Sequence, residues 1–230
     1  KKVEGQPKEK HSALSFRHFV FGTIAIFLYV GLEVGIPNFI NLFLTTGKDV
    51  ASGAVGAGID AGAAGTVVGT YWFLMLVGRL LGGLLGGKFS AKSQLTTVST
   101  LAILLVIVGI FLAADIAVSM PVFKADISFG LQVVPVSVVL FVLCGLCTSI
   151  MWGGIFNLAV EGIGKYTTMG SGIFMMMVVG GGVLPLIQGA VADITASYMA
   201  SYWVIVAALA FILWYALAGC KNVNKEIPTE

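Results

Sequence analysis

The chain is a succession of long apolar runs separated by short polar breaks. Six of the runs reach the ~20 residues a helix needs to cross the hydrocarbon core of a bilayer. They cover residues 16–44, 65–87, 95–114, 134–160, 170–192 and 198–219. None alternates apolar and polar positions with period two, so a membrane β-barrel is excluded as their reading. The pattern predicts an all-α membrane protein: a polar tail (1–15), six transmembrane helices (16–219) and a second polar tail (220–230). The connections are short apart from an Ala/Gly-rich, low-complexity stretch at 48–64, expected to be mobile.

Composition narrows the class. Of 230 residues, 58% are apolar and 10% charged, against ~45–50% and ~25% in soluble domains. Mean hydropathy is +1.00. A water-soluble enzyme and a disordered segment are both excluded. The net charge of +2 is too small to imply a nucleic-acid partner. Three cysteines make no disulfide framework. Thirty glycines would weaken soluble helices, but small residues let membrane helices approach closely. A start at Lys1, with no signal-peptide pattern after it, suggests a fragment of something longer.

Basic residues set the expected orientation. Only Lys48 and Lys124 fall on the far side of the membrane and only Arg79 within a span; every other Lys and Arg lies with the N-terminal tail. That bias predicts a multi-pass protein of the plasma membrane with both termini in the cytoplasm.

Ionisable residues inside a membrane are costly and mark function by default. Two are clearly intramembrane here, Glu33 and Arg79. Tyr29, Glu33, Pro37 and Asn41 recur every four residues and share a helix face, with Asn38 beside it. Such a stripe must meet protein or water rather than lipid. Glu33 is therefore read as a hydrogen-bonding or proton-linked residue on a solute pathway; a structural carboxylate, protonated or paired, is the alternative. Arg79 can snorkel toward the nearby helix end or bridge helices. Gly78, Gly82 and Gly86 form a small-xxx-small row suited to helix packing.

In the fourth span Ser149, Gly153 and Asn157 share a face, with Trp152 next to it. An aromatic surface beside amide and hydroxyl groups suits a sugar ring, whose C–H face packs while its hydroxyls bond. Plain helix packing for Trp152 and an interhelical bond for Asn157 are the alternatives. In the fifth span three glycines (180–182) precede Pro185, which weakens the helical ladder near mid-membrane, with Gln188 just beyond. Interrupted helices at that depth line binding sites or act as hinges.

Other motifs fail. The CxxC of Cys144 and Cys147 lies in an apolar helix without a second ligand pair. The GIGKY run at 162–166 lacks the Ser or Thr and the preceding strand of a phosphate loop. No catalytic triad or HExxH motif is present. No enzyme, metal or cofactor is expected.

Two stretches carry a family resemblance. MWGGIFNLAVEGIGKYTTMGSG (151–172), with GGGVLP (180–185), Gly189 and Asp193, resembles a signature of bacterial sugar symporters. FLYVGLEVGI (27–36), acidic at Glu33, resembles the seventh helix of the same family, and Tyr202-Trp203 its last helix. The family is the fucose–galactose–glucose proton symporters of the major facilitator superfamily, closest to the glucose/galactose branch. The resemblance spans residues 16–222 and implies the C-terminal half, helices seven to twelve, of a twelve-helix transporter of the bacterial inner membrane. It implies a hexose as solute and a proton as coupling ion, with fucose, another sugar or sodium as alternatives. It also implies a missing N-terminal six-helix half as partner, a non-transporting half-sized protein being the rival. Glu33, Asn38, Asn41, Trp152, Asn157 and Gln188 are expected to face the sugar. Arg79, Lys88, Glu161, Lys165, Gly181 and Pro185 are expected in gating or structural roles. Gly153 departs from the family's usual Pro, and Gly87 from the Asp of its gating motif, while Lys88 and Lys92 keep positive charge.

Overall fold

The computed structural model describes residues 11–47, 55–112, 116–224 and 226–229. The first ten residues of the N-terminal tail, and 48–54 of the Ala/Gly stretch, lie outside the described residues. Among the described residues, six helical segments are long and apolar enough to cross a membrane: Arg17–Thr45, Ala61–Leu84, Ala91–Phe111, Val136–Val160, Gly164–Thr195 and Tyr198–Gly219. They are built from helices α1 (Arg17–Thr45), α2 (Ala61–Leu85), α3 (Ala91–Phe111), α4 (Val136–Thr148), α5 (Met151–Val160), α6 (Thr167–Met176), α7 (Gly180–Thr195) and α8 (Tyr198–Trp214). The chain is a multi-pass membrane protein, as its apolar runs predict.

Helix starts carry their own caps. Asp60 accepts from the N–H groups of Gly62 (2.9 Å) and Ala63 (3.2 Å), which draws residues 61–64 of the expected loop into α2. Ser90 and Ser197 cap α3 and α8 by accepting from Ser93 and Ala200. At the start of α1 the cap comes from the other end of the chain: Asn224 Oδ1 accepts from the Arg17 N–H at 2.9 Å. The C-terminal tail is thus stitched over the ends of the bundle, where the Lys165 N–H also donates to the Thr229 carbonyl.

α1 is the central post, packed by α2, α5, α7 and α8. Its glycines let neighbours in: a side chain at Gly22 would meet Ala159 and Tyr215, and one at Gly31 would meet Leu184. The closest approach comes from the partner's side, where a Cβ on Gly180 of α7 would strike the Phe27 backbone. Pro37 lies inside α1. Lacking an N–H, it leaves the Glu33 carbonyl without its helical donor. The hydroxyl of fully buried Tyr71, on α2, lies 3.4 Å from that oxygen, and the Tyr202 hydroxyl of α8 donates to the Ile36 carbonyl at 3.0 Å.

The structure differs from the expected spans most in the fourth and the fifth. The fourth span starts at Val136, because residues before it form an antiparallel hairpin, β1 (Ala117–Phe123) with β2 (Phe129–Pro135). At its turn Ser128 donates to Asp126 Oδ1 from both Oγ (2.6 Å) and N (3.2 Å), which holds the Asp126 carboxyl below its usual range. The fifth span runs longer than 170–192, beginning at Gly164. Its irregular turn is a 3-10 stretch at Met177–Val179, just before the glycines rather than at Gly181 or Pro185. Gly181 packs near Val30 and Pro185 is half-buried inside α7.

Candidate functional site

Glu33 and Arg79 form an ion pair across α1 and α2, Nη2 to Oε1 at 3.2 Å. The geometry of antiparallel helices brings them together. Glu33 lies roughly 18 Å from the Thr45 end of α1, and Arg79 roughly 27 Å from the Ala61 end of α2, at 1.5 Å per residue. Side chains lean toward the N-terminus of their own helix, so each leans toward the other's depth. Arg79 therefore bridges helices instead of snorkelling to its near end. The carboxylate is mostly enclosed, its side chain 15% exposed, while the guanidinium side chain is 55% exposed and opens onto a cleft.

That cleft encloses about 620 Å³ between α2, α3 and α5, lined by Arg79, Gln94, Ser149, Trp152, Gly153 and Asn157 among others. It exists because the fourth span breaks. The Thr148 and Ser149 hydroxyls donate back to the carbonyls of Gly145 (3.2 Å) and Leu146 (2.6 Å), competing with the helical ladder. α4 ends there and α5 begins at Met151. Gly78 and Gly82 of α2 sit against the break, where a Cβ would strike Ser149 and Ile150 respectively; Gly86 packs on no other helix. The break puts Trp152 in the first turn of α5, edge-on to Tyr29 of α1 with ring centroids 6.2 Å apart. The Tyr71 and Thr148 hydroxyls pair at 3.1 Å behind it.

The expected residues divide into groups. Trp152 and Asn157 line the cleft, and Glu33 reaches it through Arg79. Asn38 and Asn41 are exposed further along α1 and do not line the cleft. Gln188 corrects the expectation of a cavity-facing amide: it is fully buried, Nε2 lies 3.4 Å from Ser201 Oγ, and its Oε1 is packed on Gly35. Gln188 belongs to the α1–α7–α8 seam, because Gly35 leaves it room there. Lys88 is exposed in the turn after α2. Glu161 is exposed at the end of α5, its carbonyl 3.0 Å from His18 Nε2, and it borders a separate cavity with Lys92 and Lys221. The Lys165 ammonium lies 5.5 Å from the Tyr166 ring centroid.

Two residues escaped sequence reasoning, Gln94 in the cleft lining and Tyr71 buried behind it. Gln94 sits one turn into α3, where it reads as a polar helix start, and its Nε2 donates to the Phe89 carbonyl at 3.0 Å. Tyr71 reads as one aromatic among many; only its distance from Pro37 in sequence hid their relation.

The cleft's volume falls in the range usual for a small-molecule site (~300–1,000 Å³), and it is flanked by the broken fourth span and an intramembrane ion pair. The fold is that of the C-terminal half of a major facilitator superfamily transporter. Matching solved structures include the E. coli fucose:proton symporter, with TM-score 0.71 and 22% identity over 89% of this chain and 44% of that one. A peptide transporter matches at TM-score 0.67 and 14% identity, covering 93% of this chain and 39% of that one. By sequence, the chain is 33% identical over 215 residues to a glucose/galactose transporter of Brucella abortus biovar 1 (strain 9-941), covering 94% of this chain and 45% of that protein. The chain thus spans about half the length of the curated relatives it matches. No family model matches it. The resemblance to major facilitator sugar transporters holds over nearly the whole chain, and the relatives are transporters, not enzymes.

Proposed function

We propose that this chain is the C-terminal half of a twelve-helix symporter that carries a hexose of the glucose/galactose type with protons across the bacterial inner membrane. The observation that carries the reading is the Glu33–Arg79 pair at the edge of a cleft walled by Trp152 and Asn157. The sugar's C–H face packs on Trp152, and its hydroxyls bond Asn157, Ser149 and the exposed guanidinium of Arg79. Glu33 holds Arg79 in place. Asn38 and Asn41, exposed further along α1, line the approach from the far end. Lys88, Glu161 and Lys165 take part in closing the cytoplasmic end, and both termini lie on that side, in keeping with the basic bias. The other half of the cavity comes from an N-terminal six-helix unit.

Uptake of labelled glucose, galactose and fucose into vesicles, with and without a protonophore and with and without sodium, tests the reading. Glucose or galactose uptake abolished by the protonophore and indifferent to sodium is expected. Sodium-dependent uptake would overturn the proton, and absence of uptake for every sugar would overturn the transport reading. Fucose is the second solute to test, because a fucose:proton symporter shares the fold.

A further inference from the structure

Tyr29 is fully buried, and its hydroxyl has no hydrogen-bond partner among the described residues. A polar group sealed away from water without a partner is costly and calls for a reason. Tyr29 sits one helical turn before Glu33 on the same face of α1, and Glu33 leans back toward it. By the rise of the helix it lies roughly 24 Å from the Thr45 end of α1, between the depths of Glu33 and Arg79. The Glu33 carboxylate and the Arg79 guanidinium are both neighbours of the hydroxyl, yet it bonds neither. The ring cannot turn away, because it is fully enclosed and Trp152 meets it edge-on.

The ion pair beside it is a loose one. A single nitrogen of Arg79 meets a single oxygen of Glu33, at 3.2 Å, where a tight charge-assisted bond measures about 2.7–2.9 Å. Among the described residues no other donor bonds the carboxylate. An ionised carboxylate has room for several donors, so Glu33 can accept more than it is given. The Tyr71 hydroxyl, also close by, is already paired with Thr148. The Arg79 side chain opens onto the cleft and is the partner free to leave. Once Arg79 turns to a solute, the idle hydroxyl of Tyr29 is what remains for Glu33.

We propose that Tyr29 is a positioning residue of the solute site: its hydroxyl takes over the Glu33 carboxylate when a sugar hydroxyl draws Arg79 into the cleft. The proposal rests on the reading of the cleft as a sugar site. Tyrosine suits the task, since its ring stays fixed while the O–H rotates to suit an acceptor and the more flexible Glu33 side chain makes the movement. The hydroxyl is unpaired in the sugar-free site and bonded in the sugar-bound one. A bond made in only one of two states favours that state, so Tyr29 strengthens sugar binding without touching the sugar.

The test is Tyr29→Phe in the full transporter, purified in detergent. Equilibrium binding of labelled glucose and galactose is measured, together with the melting temperature in the absence of sugar. The variant keeps the ring against Trp152 and removes only the O–H. Binding is expected to weaken about tenfold or more, the worth of one hydrogen bond to a charged group. The sugar-free protein is expected to melt at the same temperature or slightly higher. In the Glu33→Gln background, whose neutral amide is a weaker acceptor, the loss in affinity should shrink to a few-fold at most. Lowered melting without sugar, failure to fold included, would show a hydroxyl already bonded in the sugar-free state and overturn the proposal. An equal loss in the Glu33→Gln background would put the hydroxyl on the sugar itself and overturn it too. Wild-type protein that binds neither sugar would sink the sugar reading and this proposal with it. Wild-type binding with unchanged affinity in Tyr29→Phe would sink this proposal alone.

Discussion

The carboxylate of Glu33 and the guanidinium of Arg79 meet at 3.2 Å from two helices that run in opposite directions, each side chain leaning toward the other's depth. Each offsets the cost of the other's charge inside the membrane, about 3 kcal/mol for an unpaired ion at the centre of an inserted helix. Removing one partner leaves the other unpaired, a larger loss than removing both.

Glu33→Gln in the full transporter is therefore expected to lower sugar uptake at least tenfold, and Glu161→Gln less than about twofold. Glu161 is exposed at the end of α5, away from the cleft. Initial uptake rates, normalised to protein in the membrane, decide the matter; equal losses would remove Glu33 from the site. For stability, the Glu33→Gln/Arg79→Gln double variant should unfold at a higher temperature than Arg79→Gln alone.

Trp152 forms a wall of the cleft and an edge contact with Tyr29. Trp152→Phe should keep an aromatic face and cost a few-fold in KM. Trp152→Ala should raise KM much more while leaving thermal stability within a few degrees. A matched loss of stability and affinity in the Ala variant would make Trp152 a packing residue instead.

Pro37 and Tyr71 are linked through one carbonyl oxygen, that of Glu33. Tyr71→Phe loses the hydroxyl contact there and to Thr148, worth about 1 kcal/mol for an ordinary hydrogen bond. Pro37→Ala restores a backbone donor to the same oxygen, so Tyr71→Phe should cost less in that background. Melting in detergent of the two single variants and the double measures the coupling. Simple additivity would show that the hydroxyl acts only through Thr148.

Gly180 and Gly182 are near neighbours in sequence and opposites in environment. A methyl group at Gly180 would strike the Phe27 backbone, which has no rotamer to escape by, whereas nothing lies within 4 Å of a Cβ at Gly182. Gly180→Ala should destabilise the protein by about 1–3 kcal/mol, as overpacking does, and Gly182→Ala should leave its melting temperature unchanged or slightly raised. Equal melting temperatures would place the α1–α7 contact elsewhere.

Gln188→Met removes the amide from a sealed seam while keeping most of its volume. Uptake KM is expected to stay within about twofold, with any change appearing in thermal stability, because Gln188 touches Gly35 and Ser201 rather than the cleft. A large KM change with unaltered melting would return Gln188 to the solute pathway.

What the residue order determined by itself was the one-dimensional part of the problem. Apolar length sets the number of spans, since a helix must hide its backbone polar groups from lipid wherever it crosses. Glu33, Arg79 and Trp152 stood out because charge and amphipathic aromatics are rare or costly at that depth. Even the hairpin was legible in part, in the alternation of Val118, Met120 and Val122, though against six stronger apolar signals it passed as a connection. The tertiary structure alone decided which of these residues meet. Gln188 and Asn157 look alike in sequence, yet one fills the gap at Gly35 and the other lines open space. Tyr71 was silent until α2 packed on α1 and set its hydroxyl at the oxygen that Pro37 leaves unpaired. Whether a polar group in a membrane is structural or free to bind a solute depends on the partner that packing brings to it, and helical periodicity names a face without naming what that face will touch.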